Sequence, residues 1–112
     1  MPSNATWNSD LDPVWKALAD STRRAILDEL RRKPQTTSEI AERFPHLSRF
    51  GIMKHLAVLR RAGLVQSHEK GRTVVNSLNV MPIQLIYERW VSEYQGLWAR
   101  KLTRLKRSLE MK

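Results

Sequence analysis

Residues 37–78 read TSEIAERFPHLSRFGIMKHLAVLRRAGLVQSHEKGRTVVNSL, and this stretch decides the fold. It begins with a short predicted helix, which Thr37 or Ser38 opens and Pro45 ends. A tight turn of three residues follows, after which Ser48 is well suited to cap a second helix. Two short helices joined by such a turn predict a helix-turn-helix.

The second helix of this pair is followed by a hairpin signal. Ile52, Leu56 and Leu59 have i, i+4, i+7 spacing, and Gly63 is well placed to end the helix. Two β-prone runs then flank Gly71, which predicts a hairpin with a basic tip. The expected fold class is therefore mainly α with a small β-hairpin, a winged helix-turn-helix of about five helices and a two-stranded wing.

Helices are also predicted on both sides of this stretch. Asp12 and Pro13 have the pattern of an N-cap and first helical residue, and Ser21 that of a second N-cap. Apolar residues at helical spacing predict one long C-terminal helix, which is too long to be covered by so small a domain. We expect a single domain, residues 1–112, made of two helices (11–33), the helix-turn-helix (37–62), the wing (64–78) and a long dimerisation helix (82–110).

The charge of the chain is strongly positive and unevenly distributed. Among 112 residues there are 20 Lys and Arg against 11 Asp and Glu, and there is no cysteine. Residues 43–72 carry seven basic side chains and one acidic, and residues 98–112 carry six and one. This excess indicates a polyanion partner. Without cysteine, disulfides and thiolate metal sites are excluded. Because no apolar segment is long enough to span a membrane, we expect a cytoplasmic protein without a membrane partner.

The outward side chains of the second helix and the wing tip are the candidates for DNA contact. In a helix-turn-helix, the second helix enters the major groove with its N-terminal residues at base edges. Arg49 is suited to guanine O6 and N7, and wing-tip cations are suited to flanking phosphates or the minor groove. The candidate DNA-binding residues are Ser48, Arg49, Phe50, Met53, Lys54 and His55 on the helix, and Lys70 and Arg72 at the wing tip.

Two blocks of sequence resemble a known family. Residues 14–27, VWKALADSTRRAIL, and residues 47–65, LSRFGIMKHLAVLRRAGLV, are similar to the opening and the recognition helix of ArsR/SmtB-type winged-helix regulators. Both blocks occur in order and at the expected separation, and the resemblance covers essentially residues 13–110. It implies a dimeric transcriptional regulator, usually a repressor released by a signal, that binds a near-palindromic operator of double-stranded DNA.

The chain departs from this family pattern at residues of the recognition helix that contact bases and at the positions of the family's metal ligands. Arg49 and Lys54 stand where many members have glutamine, and Met53 where many have serine, so the base preference does not transfer. The family's metal sites use a cysteine pair on the third helix or Asp, His and Glu on the last helix, and neither set is present. We predict no metal, no other cofactor and no enzyme activity, and the sequence does not identify an effector.

Apolar and aromatic residues of the first and last helices are candidates for a homodimer interface. They are Trp15, Leu18, Tyr87, Trp90, Tyr94, Leu97 and Trp98. An alternative function is a dimeric interaction module, whose winged helix or basic C-terminal helix binds a protein or a membrane surface. The net charge of +6 on residues 43–72 favours DNA, since a wing converted to protein binding has no need of it.

Overall fold

The computed structural model describes residues 4–110, and the side chains in that range other than those of residues 4–9, 92 and 93. It is a mostly helical winged helix-turn-helix, as the sequence predicts. The described residues form six helices: α1 (Asn4–Leu18), α2 (Ser21–Arg32), α3 (Thr37–Arg43), α4 (Arg49–Arg61), α5 (Met81–Trp90) and α6 (Ser92–Glu110). They also form three strands: β1 (Gln35–Thr36), β2 (Val65–Lys70) and β3 (Thr73–Leu78).

The chain divides into two compact units, one up to Pro82 and one from Ile83 onwards. The hydrophobic core belongs to the first unit, where apolar side chains of α1 to α4 and the start of β2 pack together. Its buried members are Leu11, Val14, Ala17, Ile26, Leu27, Leu30, Ile40, Ile52, Leu56, Leu59, Ala62, Leu64 and Val65. In the second unit, none of the side chains that the structure describes is fully buried. No helix within residues 4–110 is long and apolar enough to span a membrane.

The helices of the first unit begin at local capping groups. Asp20, rather than the predicted Ser21, caps α2, because its carboxylate accepts the Arg23 N–H at 3.0 Å. Thr36 caps α3 through a reciprocal pair of hydrogen bonds with Glu39, one residue before the predicted opening. The Thr36 N–H, which donates to the Glu39 Oε1 at 2.9 Å, is the main reason that the pKa of the Glu39 carboxyl lies below its usual range, and the Thr36 hydroxyl adds to it.

All three strands are antiparallel, in the order β1-β3-β2. We predicted only the hairpin of β2 and β3, and the structure adds β1 on the other side of β3. Gln35 and Thr36 in β1 lie opposite Asn76 and Val75. A two-residue strand is too short for any alternation of apolar and polar residues, so local sequence carries no signal for it. The wing is thus joined directly to the segment that leads into α3.

Two helix boundaries differ from the sequence prediction. We placed the first helix start at Asp12, whereas α1 begins at Asn4 and contains Pro13. Leu11 and Val14 on either side of the proline are three residues apart and both buried, so the helix presents one apolar face across it. We also predicted one helix over 82–110, whereas the structure has α5 and α6 with a break at Val91.

The break at Val91 leaves the apolar spacing undisturbed, which is why periodicity did not reveal it. The Val91 N–H donates to the Tyr87 carbonyl at 2.8 Å, and the Gln95 N–H donates to the Val91 carbonyl at 3.0 Å. Helical i to i−4 bonds therefore flank the break on both sides. The residues around it, Trp90 to Ser92, have only moderate helix propensity.

Candidate nucleic-acid interface

The turn between α3 and α4 sets where the second helix begins. The Leu47 N–H donates to the Phe44 carbonyl at 2.9 Å, which closes the turn. Ser48 has extended backbone angles, and its Oγ accepts a hydrogen bond from the Gly51 N–H at 3.0 Å. Ser48 is therefore the N-cap that the sequence predicts. Its side chain is exposed, so the hydroxyl hydrogen is able to donate to a phosphate.

The predicted contact residues near the start of α4 lie on the solvent side. The Phe50 and Met53 side chains are 70% and 52% exposed. Lys54 is also exposed, and its Nζ lies 5.3 Å from the centroid of the Phe50 ring in a cation–π contact. Apolar groups and a cation therefore share this face, a combination suited to thymine methyls and to phosphate or guanine.

Arg49 is held in place by a residue that the sequence did not single out. The Arg49 Nη1 donates to the Ser38 Oγ at 2.9 Å, across the turn between the two helices. Ser38 is exposed in the first turn of α3. Ser38 and Arg49 lie on different helices, so no periodicity relates them, and only the folded chain shows that these two side chains meet.

A small pocket joins the start of α3, the start of α4 and the tip of the wing. Its volume is about 130 Å³, and three of the predicted DNA-binding residues line it. The full lining is Thr36, Thr37, Ser38, Arg49, Met53, Arg72, Thr73 and Val74. The structure thus brings Arg49 and Met53 of the helix together with Arg72 of the wing on one concave surface.

The wing tip is a two-residue turn that carries the other two predicted cations. Lys70 pairs with Thr73 at the end of the hairpin, and the Thr73 Oγ1 donates to the Lys70 carbonyl at 2.8 Å. Gly71 takes the first turn position with φ +62°, as a type II′ turn requires. Lys70 and Arg72 are both exposed. Their amino and guanidinium groups are therefore free to reach phosphates beside the groove.

A second groove of about 310 Å³ runs between α4 and the wing. Met53 and Arg60 of α4 line one side, and Ser67 and Val74 of the wing line the other. The Arg60 Nη1 donates to the Ser67 Oγ at 3.3 Å and so connects the helix to β2. Arg60 is an exposed cation in this groove that sequence reasoning missed, because it lies in the last turn, where a helix C-terminus alone accounts for a basic residue.

His55 does not share the exposed face of the other α4 candidates. It is half-buried, with its Nδ1 3.4 Å from Arg23 Nη1 and 3.8 Å from Asp20 Oδ2. These contacts direct the imidazole toward the start of α2. His55 follows Ile52 by three residues and precedes Leu59 by four, so helical spacing itself places it at the edge of the buried stripe and not on the outward face where we predicted it.

The partners of His55 are themselves anchored to the junction of α1 and α2. Arg23 donates from Nε to the Ala17 carbonyl and from Nη2 to the Lys16 carbonyl, both at 2.8 Å. The Arg23 N–H bond to Asp20 is the main reason that the pKa of this carboxyl lies below its usual value, with the charges of Arg23 and His55 adding to it. His55 thus contacts a fixed capping cluster.

The candidate dimer residues are distributed over both units. In the first unit, Trp15 is 44% exposed and Leu18 is half-buried. In the second unit, Tyr87 is half-buried, whereas the other four side chains present much of their surface to solvent. Their exposed fractions are 45% for Trp90, 66% for Tyr94, 38% for Leu97 and 62% for Trp98.

The three histidines do not form a metal site with acidic neighbours in the described part of the chain. No group of three or more His, Asp or Glu side chains there is arranged to hold a metal ion.

Comparison with known proteins identifies relatives over most of the chain. The helix-turn-helix domain family matches residues 18–68. The uncharacterized HTH-type transcriptional regulator YuzN of Bacillus subtilis (strain 168) is 41% identical over 90 residues, covering 75% of this chain and 98% of that protein. The transcriptional repressor SdpR of the same organism is 39% identical over 74 residues, covering 66% of this chain and 81% of that protein.

A solved structure extends the likeness to the whole fold. The ArsR-like transcriptional regulator from Rhodococcus sp. RHA1 is 34% identical and superposes with a TM-score of 0.71, covering 98% of each chain. The structure has a helix pair with a capped second helix, followed by a basic hairpin. These features and the relatives support the same family assignment. The chain belongs to the ArsR family of winged helix-turn-helix, DNA-binding transcriptional regulators, a family of regulators and not of enzymes.

Proposed function

We propose that this regulator is a cytoplasmic repressor that binds a near-palindromic operator as a homodimer. In each subunit α4 enters the major groove, and the wing tip contacts the flanking backbone. The observation that carries this proposal is the pocket that Arg49, Met53 and Arg72 line together. Repression is further supported by the similarity to SdpR, a transcriptional repressor.

The contacts divide into base-reading and phosphate-binding groups. Arg49 is suited to read guanine, because its guanidinium lies at the start of α4 and the Ser38 hydroxyl orients it. Phe50 and Met53 present apolar surface for thymine methyls. The wing-tip residues Lys70 and Arg72 bind phosphates and therefore act on every sequence alike.

Three further residues have supporting roles in this arrangement. Ser48 caps α4 and donates to a phosphate, and Lys54 contacts either a phosphate or a guanine. His55 packs α4 against the start of α2 and makes no direct base contact, in keeping with its half-buried position. We assign it to holding the recognition helix at the correct angle.

The exposed aromatic surface of the second unit supports the homodimer. Its described side chains include no fully buried one, while Tyr94 and Trp98 are both more than half exposed. Large exposed aromatic residues are enriched at protein interfaces. We propose that these residues, with Tyr87, Trp90, Leu97 and the Trp15 and Leu18 of α1, pair two subunits. Operator half-sites would then lie about one DNA turn apart.

A DNA titration over a range of salt concentrations tests the division of roles. The wild type should bind its own promoter fragment more tightly than a random duplex of equal length, with log affinity falling linearly against log salt. Arg49→Ala should reduce the difference between the two DNAs. Arg72→Ala should weaken both alike and flatten the salt slope by about 0.9, the value for one lost phosphate contact.

Arg31→Ala is the matched control, because Arg31 is an exposed cation in the last turn of α2 and lines neither groove pocket. It should leave the slope within about 0.3 of the wild type. Equal affinity of the wild type for promoter and random DNA would refute specific binding. Identical effects of the Arg49 and Arg72 substitutions would refute the assigned roles.

Sedimentation analysis tests the dimer separately. Tyr94→Glu should shift the protein from dimer to monomer, because it places a charge in an apolar interface. The same change at Tyr87, which is already half-buried within its own chain, is a less specific probe. A wild-type protein that sediments as a monomer at all concentrations would contradict the homodimer.

A further inference from the structure

The end of α6 carries an apolar stripe that the proposed DNA contacts do not use. Leu102, Leu105 and Leu109, called here the leucine stripe, are 61%, 57% and 62% exposed. They follow Trp98 at intervals of four, three and four residues, which is the a and d spacing of a coiled coil. Three exposed leucines in line leave an apolar seam without a partner in the described chain.

The narrow width of the leucine stripe favours a helix as its occupant. Helices that lie in a lipid surface have a broad apolar face, whereas a strict a and d pattern makes the narrower seam of a coiled coil. Over residues 102–109 the apolar residues occupy only a and d positions, and every position between them is polar or charged. The seam therefore matches the groove of another amphipathic helix.

The charges that flank the leucine stripe determine which helix fits. Lys101 and Lys106 occupy the g and e positions on its two sides, where coiled coils select their partners by charge. Lys101 is exposed, with its Nζ 5.5 Å from the centroid of the Trp98 ring, and Lys106 is exposed as well. In a parallel second copy, Lys101 at g of one helix would lie against Lys106 at e of the other, which is unfavourable.

We propose that the leucine stripe binds an acidic amphipathic helix of a partner protein. Glu or Asp at the partner's e and g positions would pair with Lys101 and Lys106, while its apolar residues cover the leucines. The stripe begins where the proposed homodimer surface ends, and Trp98 lies at the boundary of the two. This inference goes beyond DNA binding and dimerisation and makes the regulator open to control by a second protein.

The opposite face of α6 supplies a matched control. Arg100, Arg104 and Arg107 follow i, i+4, i+7 spacing and lie on the side of the helix away from the leucine stripe. All three are exposed. Reversing two of these charges changes the net charge by the same amount as reversing Lys101 and Lys106, without altering the flanks of the seam.

Binding of designed peptides to the full-length protein tests the proposal. The probe is a labelled helical peptide with Leu at a and d and Glu at e and g, and two further peptides carry Gln or Lys at e and g. Anisotropy at physiological salt should show the Glu peptide binding best, the Gln peptide less well and the Lys peptide not at all. Lys101→Glu with Lys106→Glu should weaken Glu-peptide binding by at least about tenfold. Arg100→Glu with Arg104→Glu should change it about threefold or less, because these charges are off the seam and screened.

Several outcomes would overturn the proposal. They are no binding of the Glu peptide, equal binding of the Glu and Lys peptides, or equal effects of the two charge reversals. Binding of phosphatidylglycerol vesicles in place of the Glu peptide would assign the stripe to lipid. Leu105→Ser should abolish peptide binding while leaving operator affinity and dimer mass unchanged, so that failure here is distinguishable from failure of the proposed function. A loss of dimer mass in this variant would assign the stripe to a second copy.

Discussion

Asn76 is the buried polar side chain at the centre of the sheet, and replacing it with leucine should destabilise the first unit. Asn76 is 0% exposed in β3, between β1 and β2. Its Nδ2 donates to the Gln35 carbonyl at 3.2 Å and to the Thr37 Oγ1 at 3.1 Å. Its Oδ1 accepts from the Ser67 Oγ at 2.6 Å. One side chain thus joins both neighbouring strands and the start of α3.

The expected loss follows from these three hydrogen bonds. Leucine has the same branching as asparagine, so Asn76→Leu removes the bonds without opening a large cavity. At about 1 kcal/mol for each bond, the free energy of unfolding should fall by about 3 kcal/mol. In a domain of this size that corresponds to a melting temperature lower by about 12 °C. This loss is a large part of the free energy of unfolding of a typical small domain, which is roughly 5–15 kcal/mol.

Urea unfolding followed by circular dichroism, at one fixed protein concentration, measures this loss. Ser67→Ala removes one bond of the three and should cost about 1 kcal/mol, and the double variant should cost less than the sum. The exposed Thr103 hydroxyl donates to the Ala99 carbonyl in α6, so Thr103→Ala should cost less than about 0.5 kcal/mol. A loss below about 0.5 kcal/mol for Asn76→Leu would refute the reasoning, because apolar packing would then replace the hydrogen bonds without penalty.

Substitutions at three other positions each test a single local feature of the fold. Asp20→Ala should cost about 1 kcal/mol through loss of the α2 cap, and Asp20→Asn less. Because the pKa of Asp20 is lowered on folding, the stability that wild type has over Asp20→Asn is present above about pH 4 and is lost as the pH falls through the lowered pKa. Urea unfolding of both proteins on either side of about pH 4 measures this difference. A stability difference that persists in acid would contradict the assignment. Gly71→Ala should lower stability by about 1 kcal/mol despite open space, since φ is +62°, and Gly71→Asn should cost less; equal costs would exclude backbone strain. Gly51→Ala should stabilise α4 by up to about 1 kcal/mol yet weaken operator binding in the DNA titration, and unchanged affinity would show that DNA does not approach this backbone.

Local signals were sufficient for the helix-turn-helix and the wing. Ser48, the Ile52 spacing and Gly63 act on their immediate neighbours, and the structure has the cap, the buried stripe and the positive φ where they predict them. The exposed positions of Phe50 and Met53 follow from the same periodicity. Capping and amphipathic spacing involve residues within one or two turns, so they can be predicted from the local sequence.

Other features depended on parts of the chain that are distant in sequence. The pairing of Gln35 with Asn76 spans 41 residues. The contact of Arg49 with Ser38 and the inward position of His55 each depend on how two helices pack. Sequence alone established the winged-helix class and the absence of thiolate chemistry and predicted the exposed side chains at the start of α4, because composition and local spacing suffice for these. Only the tertiary structure decided the third strand, the buried polar contacts and the pocket shared by wing and helix. Each of these is a contact between segments that are far apart in the sequence.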